Sequence, residues 1–167
     1  MVVPMAAFTA VHVALSLVGI ATGLVALVGF LTQRSLNLWN NTFLVTTALT
    51  SATGFGFPFE HLLPSHIIGA LSLAVLALAA FARFARHLAG GWNRTYVVAG
   101  VVALYFNVFV LVVQAFLKVP ALHALAPTQA EPPFAIAQGA VLLMFVAAGI
   151  AAFIRSKHVA LPARLVH

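Results

Sequence analysis

Phe81-Ala82-Arg83-Phe84-Ala85-Arg86-His87-Leu88-Ala89-Gly90-Gly91-Trp92-Asn93-Arg94 joins two long apolar runs and carries three cations, Arg83, Arg86 and Arg94. The side of a membrane on which this loop lies decides how often the chain crosses. The apolar stretches fall at about 5–31, 41–57, 65–82, 95–117 and 133–154. The remaining cations are Arg34 after the first stretch, Lys118 after the fourth, and Arg155, Lys157 and Arg164 after the fifth. With five crossings, every cation except Lys118 falls in segments of one class. Cytoplasmic loops concentrate Lys and Arg, so the pattern predicts an N-terminus outside and a C-terminus in the cytoplasm. If 41–57 did not cross, the loop quoted above would face out with its three arginines. The expected fold is therefore all-α, a single integral membrane bundle of five transmembrane helices.

Composition agrees. The 167 residues are 63% hydrophobic and 6% charged, which is no composition for a soluble domain. Several runs exceed the ~18 residues that a bilayer crossing needs. The net charge of +6 does not point to nucleic acid, because the basic residues sit in short loops where they fix topology and meet anionic headgroups. The absence of cysteine excludes disulfides, thiolate ligands and dithiol redox chemistry. No Lys or Arg precedes the first apolar run, so it reads as a retained helix rather than a signal peptide. Asn40-Asn41-Thr42 and Asn93-Arg94-Thr95 match the glycosylation triplet but fall on the expected cytoplasmic side.

Polar residues within the spans locate the helix faces. His12, Ser16, Gly19 and Gly23 share one face of the first helix, and the Gly19/Gly23 pair lets another helix approach closely. The second stretch is short and rich in hydroxyls, at Thr46, Thr47, Thr50, Ser51 and Thr53, and a re-entrant half-helix is the competing reading for it. Asn107, Gln114 and Lys118 form a stripe on the fourth helix that should face protein or water. The segment between the fourth and fifth spans holds Pro120, Pro127, Pro132 and Pro133, and is expected to lie ordered across the outer mouth. No internal repeat is visible, so an inverted-repeat transporter is not supported.

Both acids, Glu60 and Glu131, fall at the outer end with His61 and His123; His66 starts the third helix. His12 lies about 10 Å below its helix's outer end at ~1.5 Å per residue. Gln114 and Gln138 lie about a turn below theirs. Glu60, His61, His66, His123 and Glu131 are the candidate metal ligands, since imidazoles with carboxylates suit zinc, copper or iron. His12 and His66, with Gln114 and Gln138 around them, are the candidate cofactor set, because imidazoles from two helices can take the two faces of a haem. His and Glu could instead relay protons. There is no Asp, no Gly-rich phosphate loop and no HExxH, so no catalytic residue is assigned. The leading expectation is a metal- or haem-binding membrane protein, with a redox-linked role in view. The alternatives are a non-catalytic accessory subunit of a membrane complex, or a carrier or channel for a small solute. The bilayer is the expected partner, with a homo-oligomer or larger complex.

Phe106-Asn-Val-Phe-Val-Leu-Val-Val-Gln-Ala-Phe-Leu-Lys-Val-Pro120 and Leu125-Ala-Pro-Thr-Gln-Ala-Glu-Pro-Pro-Phe134 resemble small uncharacterised bacterial inner-membrane proteins. Thr53-Gly-Phe-Gly-Phe-Pro-Phe59 and Pro64-Ser-His66 carry the same resemblance. It implies a bacterial inner membrane and a periplasmic outer face, and no activity or cofactor.

Overall fold

The computed structural model describes residues 4–57 and 64–156. Glu60 and His61 lie outside the described residues, as do Lys157, His158, Arg164 and His167. All regular structure within them is helical: α1 (Met5–Thr32), α2 (Asn37–Gly54), α3 (Pro64–Ala80), α4 (Trp92–Lys118), α5 (Pro120–Leu125) and α6 (Pro132–Arg155). Among the described residues, four helices are long and apolar enough to cross a membrane: Met5–Thr32, His66–Ala85, Trp92–Lys118 and Pro132–Arg155. In hydrocarbon a helix satisfies its own backbone, which is why such runs fold this way. Hydroxyls within the helices do the same, as when Thr22 donates to Val18 O at 2.7 Å and Thr46 to Thr42 O at 2.7 Å.

Helix α2 has 18 residues, about 27 Å at ~1.5 Å each, and is more polar than its neighbours. It nevertheless runs antiparallel beside α1 along nearly its whole length. Leu36 packs on Gly29 at one end, Phe43 on Gly23 and Thr47 on Gly19 in the middle, and Phe8 on Gly56 at the other. α1 to α4 form an up-and-down ring in which each helix packs on the next and α4 returns to α1. Its interior holds Phe43, Leu44, Leu76, Ala79, Ala99, Ala103 and Leu104. α6 packs outside the ring on α4 and α1.

Close approach explains the packing. Helices surrounded by lipid gain little hydrophobic energy from one another, so contact area and small residues decide. A Cβ on Gly23 would lie 2.5 Å from Leu104 Cδ1 and 2.9 Å from Phe43 Cδ2. The His12/Ser16/Gly19/Gly23 face of α1 thus points into the bundle. The α4 stripe splits: Asn107 is buried and Gln114 half-buried, whereas Leu111 and Lys118 are exposed.

One end of the bundle gathers the arginines. α3 ends in a π-turn over Phe81–Ala85, whose widened turn brings Arg83 against the start of α2. There Arg83 Nε donates to Asn41 Oδ1 at 2.9 Å and Nη2 to Asn37 Oδ1 at 3.0 Å. Arg86 lies over Trp92 and Arg94 over Phe153, with guanidinium carbons 5.3 and 5.5 Å from the ring centres. Arg155 Nη1 donates to Leu31 O, and Gln33 Nε2 returns a bond to Arg155 O at 2.8 Å. The opposite end carries Lys118, α5 and Glu131.

Candidate functional site

At the Lys118 end, the last turn of α2 organises the histidines. Thr53, in that turn, and Phe57, just past the helix end, meet His12 of α1, while Phe55, at the C-cap, packs on Gly69 and His66 of α3. His12 Nδ1 is 2.8 Å from Thr53 Oγ1, and its ring meets Phe57 edge-on at 5.1 Å. The Thr53 hydroxyl has one proton, spent on Leu49 O at 2.7 Å. His12 therefore donates from Nδ1, and its Nε2 keeps the lone pair. His66, on α3, is buried with its ring 5.7 Å from that of Phe55. The two imidazoles thus pack against different residues at the end of α2.

The other candidates lie apart. Gln138 Nε2 donates to Phe109 O at 3.1 Å, while its buried Oε1 has no hydrogen-bond partner. Gln114 is half-buried on α4, and His123 is exposed on α5. Gln129, in a left-handed turn with φ 60°, ties the α5–α6 connection to Val113 O at 2.9 Å, so that connection is ordered. Glu131 accepts from Thr128 Oγ1 at 2.9 Å, Ala130 N at 3.1 Å and Thr128 N at 3.3 Å. Desolvation alone would raise its pKa; the bonds from Thr128 and the backbone outweigh that and hold the carboxyl below its ordinary value. Among the described residues, no three His, Asp or Glu side chains group to hold a metal ion. Glu60 and His61, the remaining members of the expected metal set, lie outside them.

Two pairs of polar side chains deeper in the ring bond each other, while the buried Thr50 Oγ1 has no hydrogen-bond partner. Ser51 Oγ donates to Ser72 Oγ at 3.1 Å, and Asn107 Nδ2 to Thr47 Oγ1 at 3.1 Å. Between this seam and the arginine end stand Phe43 and Leu104, both almost fully buried. They separate the polar groups of the two ends.

The arginine end holds a cavity of about 170 Å³ among the ends of α1, α2, α3, α4 and α6. Its polar walls include Gln33, Arg34, Ser35, Asn40, Arg83 and Tyr96. Tyr96 is 2% exposed and Asn40 6%, and neither the tyrosine hydroxyl nor Asn40 Oδ1 has a hydrogen-bond partner. In the sequence these arginines read as fixing topology and meeting anionic headgroups, and nothing there assigned them or Tyr96 to a site. The signal that pointed further was the Asn37/Asn40/Asn41 cluster opposite a basic loop. A second cavity of about 370 Å³ opens between α3 and α6 over α4, apolar at Val75, Leu78, Val98 and Val102, with Arg94 and Thr95 also in its lining. Compared with protein-family models, curated proteins and solved structures, the chain matches none.

Proposed function

We propose that this multi-pass membrane protein is a non-catalytic accessory subunit that docks a second membrane helix on α6. One observation carries the proposal. Ile136, Ala140, Leu143, Ala147, Ile150 and Ile154 are all exposed, at successive spacings of four, three, four, three and four. That spacing suits a helix-packing seam, with Ala140 and Ala147 set among larger residues, and Ile136 and Leu143 are the most open of those larger residues at 70% and 71%. The closed polar pairs inside the ring fit a subunit that performs no chemistry of its own.

The same proposal takes α2 as a fifth crossing, with the arginine end in the cytoplasm of a bacterial inner membrane. Two things support it. α2 lies beside α1 from end to end, and Arg83 joins the end of α3 to the start of α2, so these helices share a span. All five described arginines then lie on one side.

The test places Phe at Ala140 or Ala147, on the seam, and compares Phe at Leu142 or Met144, off it. Association is read as the mass of the particle purified in mild detergent. Seam variants are expected to lose the larger species and off-seam variants to keep it. A monomer that no substitution alters would refute the proposal.

A second reading, a metal or haem at the Lys118 end, is favoured by the free lone pair on His12 Nε2. Its test is elemental analysis and an absorbance spectrum of the purified protein. A Soret band or a near-stoichiometric transition metal supports it, and a colourless, metal-free protein ends it.

A further inference from the structure

We propose that the cavity at the arginine end is a binding site for a phosphate-type anion that carries a hydroxyl, either free dihydrogen phosphate or the headgroup of a hydroxylated phospholipid such as phosphatidylglycerol. The charge is the first argument. Arg34 and Arg83 both line the cavity, and no described carboxylate lies at this end to balance them. Arg83 is held by the neutral amide oxygens of Asn37 and Asn41, which keep its charge uncompensated. Those bonds use two of a guanidinium's five N–H groups, leaving three. Guanidinium groups suit phosphate because their planar donors match its oxygens in pairs.

The buried polar atoms are the second and independent argument. Tyr96 is one of the residues around the cavity and sits beneath Arg83, the guanidinium carbon 5.4 Å from its ring centre, with its hydroxyl buried and making no close hydrogen bond. Asn40 is also among the residues around the cavity, and its buried Oδ1 has no hydrogen-bond partner. A buried polar atom without a partner is costly, and native structures retain few of them. A phosphate oxygen satisfies the Tyr96 O–H and the guanidinium donors. Asn40 Oδ1 is an acceptor, so it requires a donor on the ligand. A fully ionised sulfate has none, whereas dihydrogen phosphate and a glycerol headgroup each have an O–H. The cavity volume of about 170 Å³ is many times the ~10–15 Å³ that one water needs.

The experiment reads thermal stability of the full chain in nanodiscs. In phosphatidylcholine alone, inorganic phosphate is titrated against sulfate and chloride at matched ionic strength. In a second arm, phosphatidylglycerol is added to the discs without phosphate. A rise in Tm with phosphate identifies a soluble ligand, and a rise only with phosphatidylglycerol identifies the headgroup. In either case the site predicts a weaker response in Tyr96→Phe and Arg34→Gln, with the half-saturating concentration up about tenfold or more, and an intermediate response in Arg34→Lys, which keeps the charge but not the paired donors. The Tm of each variant without ligand is measured alongside, so that a response lost by misfolding is told apart from one lost at the site. No rise with either probe, an equal rise with sulfate, or an undiminished response in Tyr96→Phe and Arg34→Gln would overturn the assignment.

Discussion

Asn107 on α4 reaches across the ring to Thr47 on α2, its Nδ2 donating to Thr47 Oγ1 at 3.1 Å, with both residues buried. Gly19 on α1 makes room for the pair: a Cβ there would come within 3.1 Å of Thr47 Oγ1 and 3.4 Å of Asn107 Nδ2. Three helices therefore meet at one hydrogen bond. Thr47→Val should destabilise the bundle by leaving an amide N–H unpaired. Bonds of this kind between membrane helices are worth on average about 0.6 kcal/mol and at most about 1.7 kcal/mol. A double-mutant cycle of Thr47→Val with Asn107→Leu, followed by unfolding in mixed micelles, should return a coupling within that range. A coupling of zero would show that the pair does not interact.

Gly23→Ala should cost about 1–3 kcal/mol, because Leu104 and Phe43 are packed too tightly to yield to a new methyl. Gly139→Ala is the matched control: a Cβ there meets nothing within 4 Å, and Ala is the better helix former. The same unfolding assay should find Gly139→Ala neutral or slightly stabilising. Equal losses at both positions would contradict the packing described.

Glu131 closes the turn before α6. Its pKa lies below that of the unfolded chain, so the stability it contributes is present above the unfolded value. It is lost as pH falls through the folded value. Glu131→Gln should therefore flatten the acid limb of Tm against pH and leave neutral-pH behaviour with only a small loss. An unchanged acid limb would show that the carboxylate is not bonded in solution.

The hydroxyl of Thr53 fixes the tautomer of His12. Nitrogen NMR of the neutral imidazole should place the proton on Nδ1, and Thr53→Val should release that preference. Protonation on Nε2 in the parent protein would contradict the bonding and remove the support for a metal reading.

Much of the bundle was legible because hydropathy and helical spacing are local properties. The expected spans match helix positions within a few residues, and α2 begins earlier, at Asn37, where Arg83 donates to Asn37 and Asn41. The inward face of α1 was legible from Gly19 and Gly23. Two things were not. Thr53, Phe55 and Phe57 alternate around the end of α2, so His12 and His66 pack against different residues there, which an estimate of depth from the sequence cannot reveal. The arginine-end cavity needs five helix ends to converge, and the π-turn that delivers Arg83 has no sequence signature.

The central claim is that α1 to α4 and α6 all cross, with the arginines on one side. A chain without cysteine allows a direct measurement: single substitutions Ser35→Cys, Ala89→Cys and Thr128→Cys, labelled in intact cells with a membrane-impermeant maleimide. Five crossings predict that Thr128→Cys labels from outside while Ser35→Cys and Ala89→Cys label only after lysis. Labelling of Ala89→Cys in intact cells, with Ser35→Cys and Thr128→Cys both protected, would mean that α2 does not cross and would contradict the account.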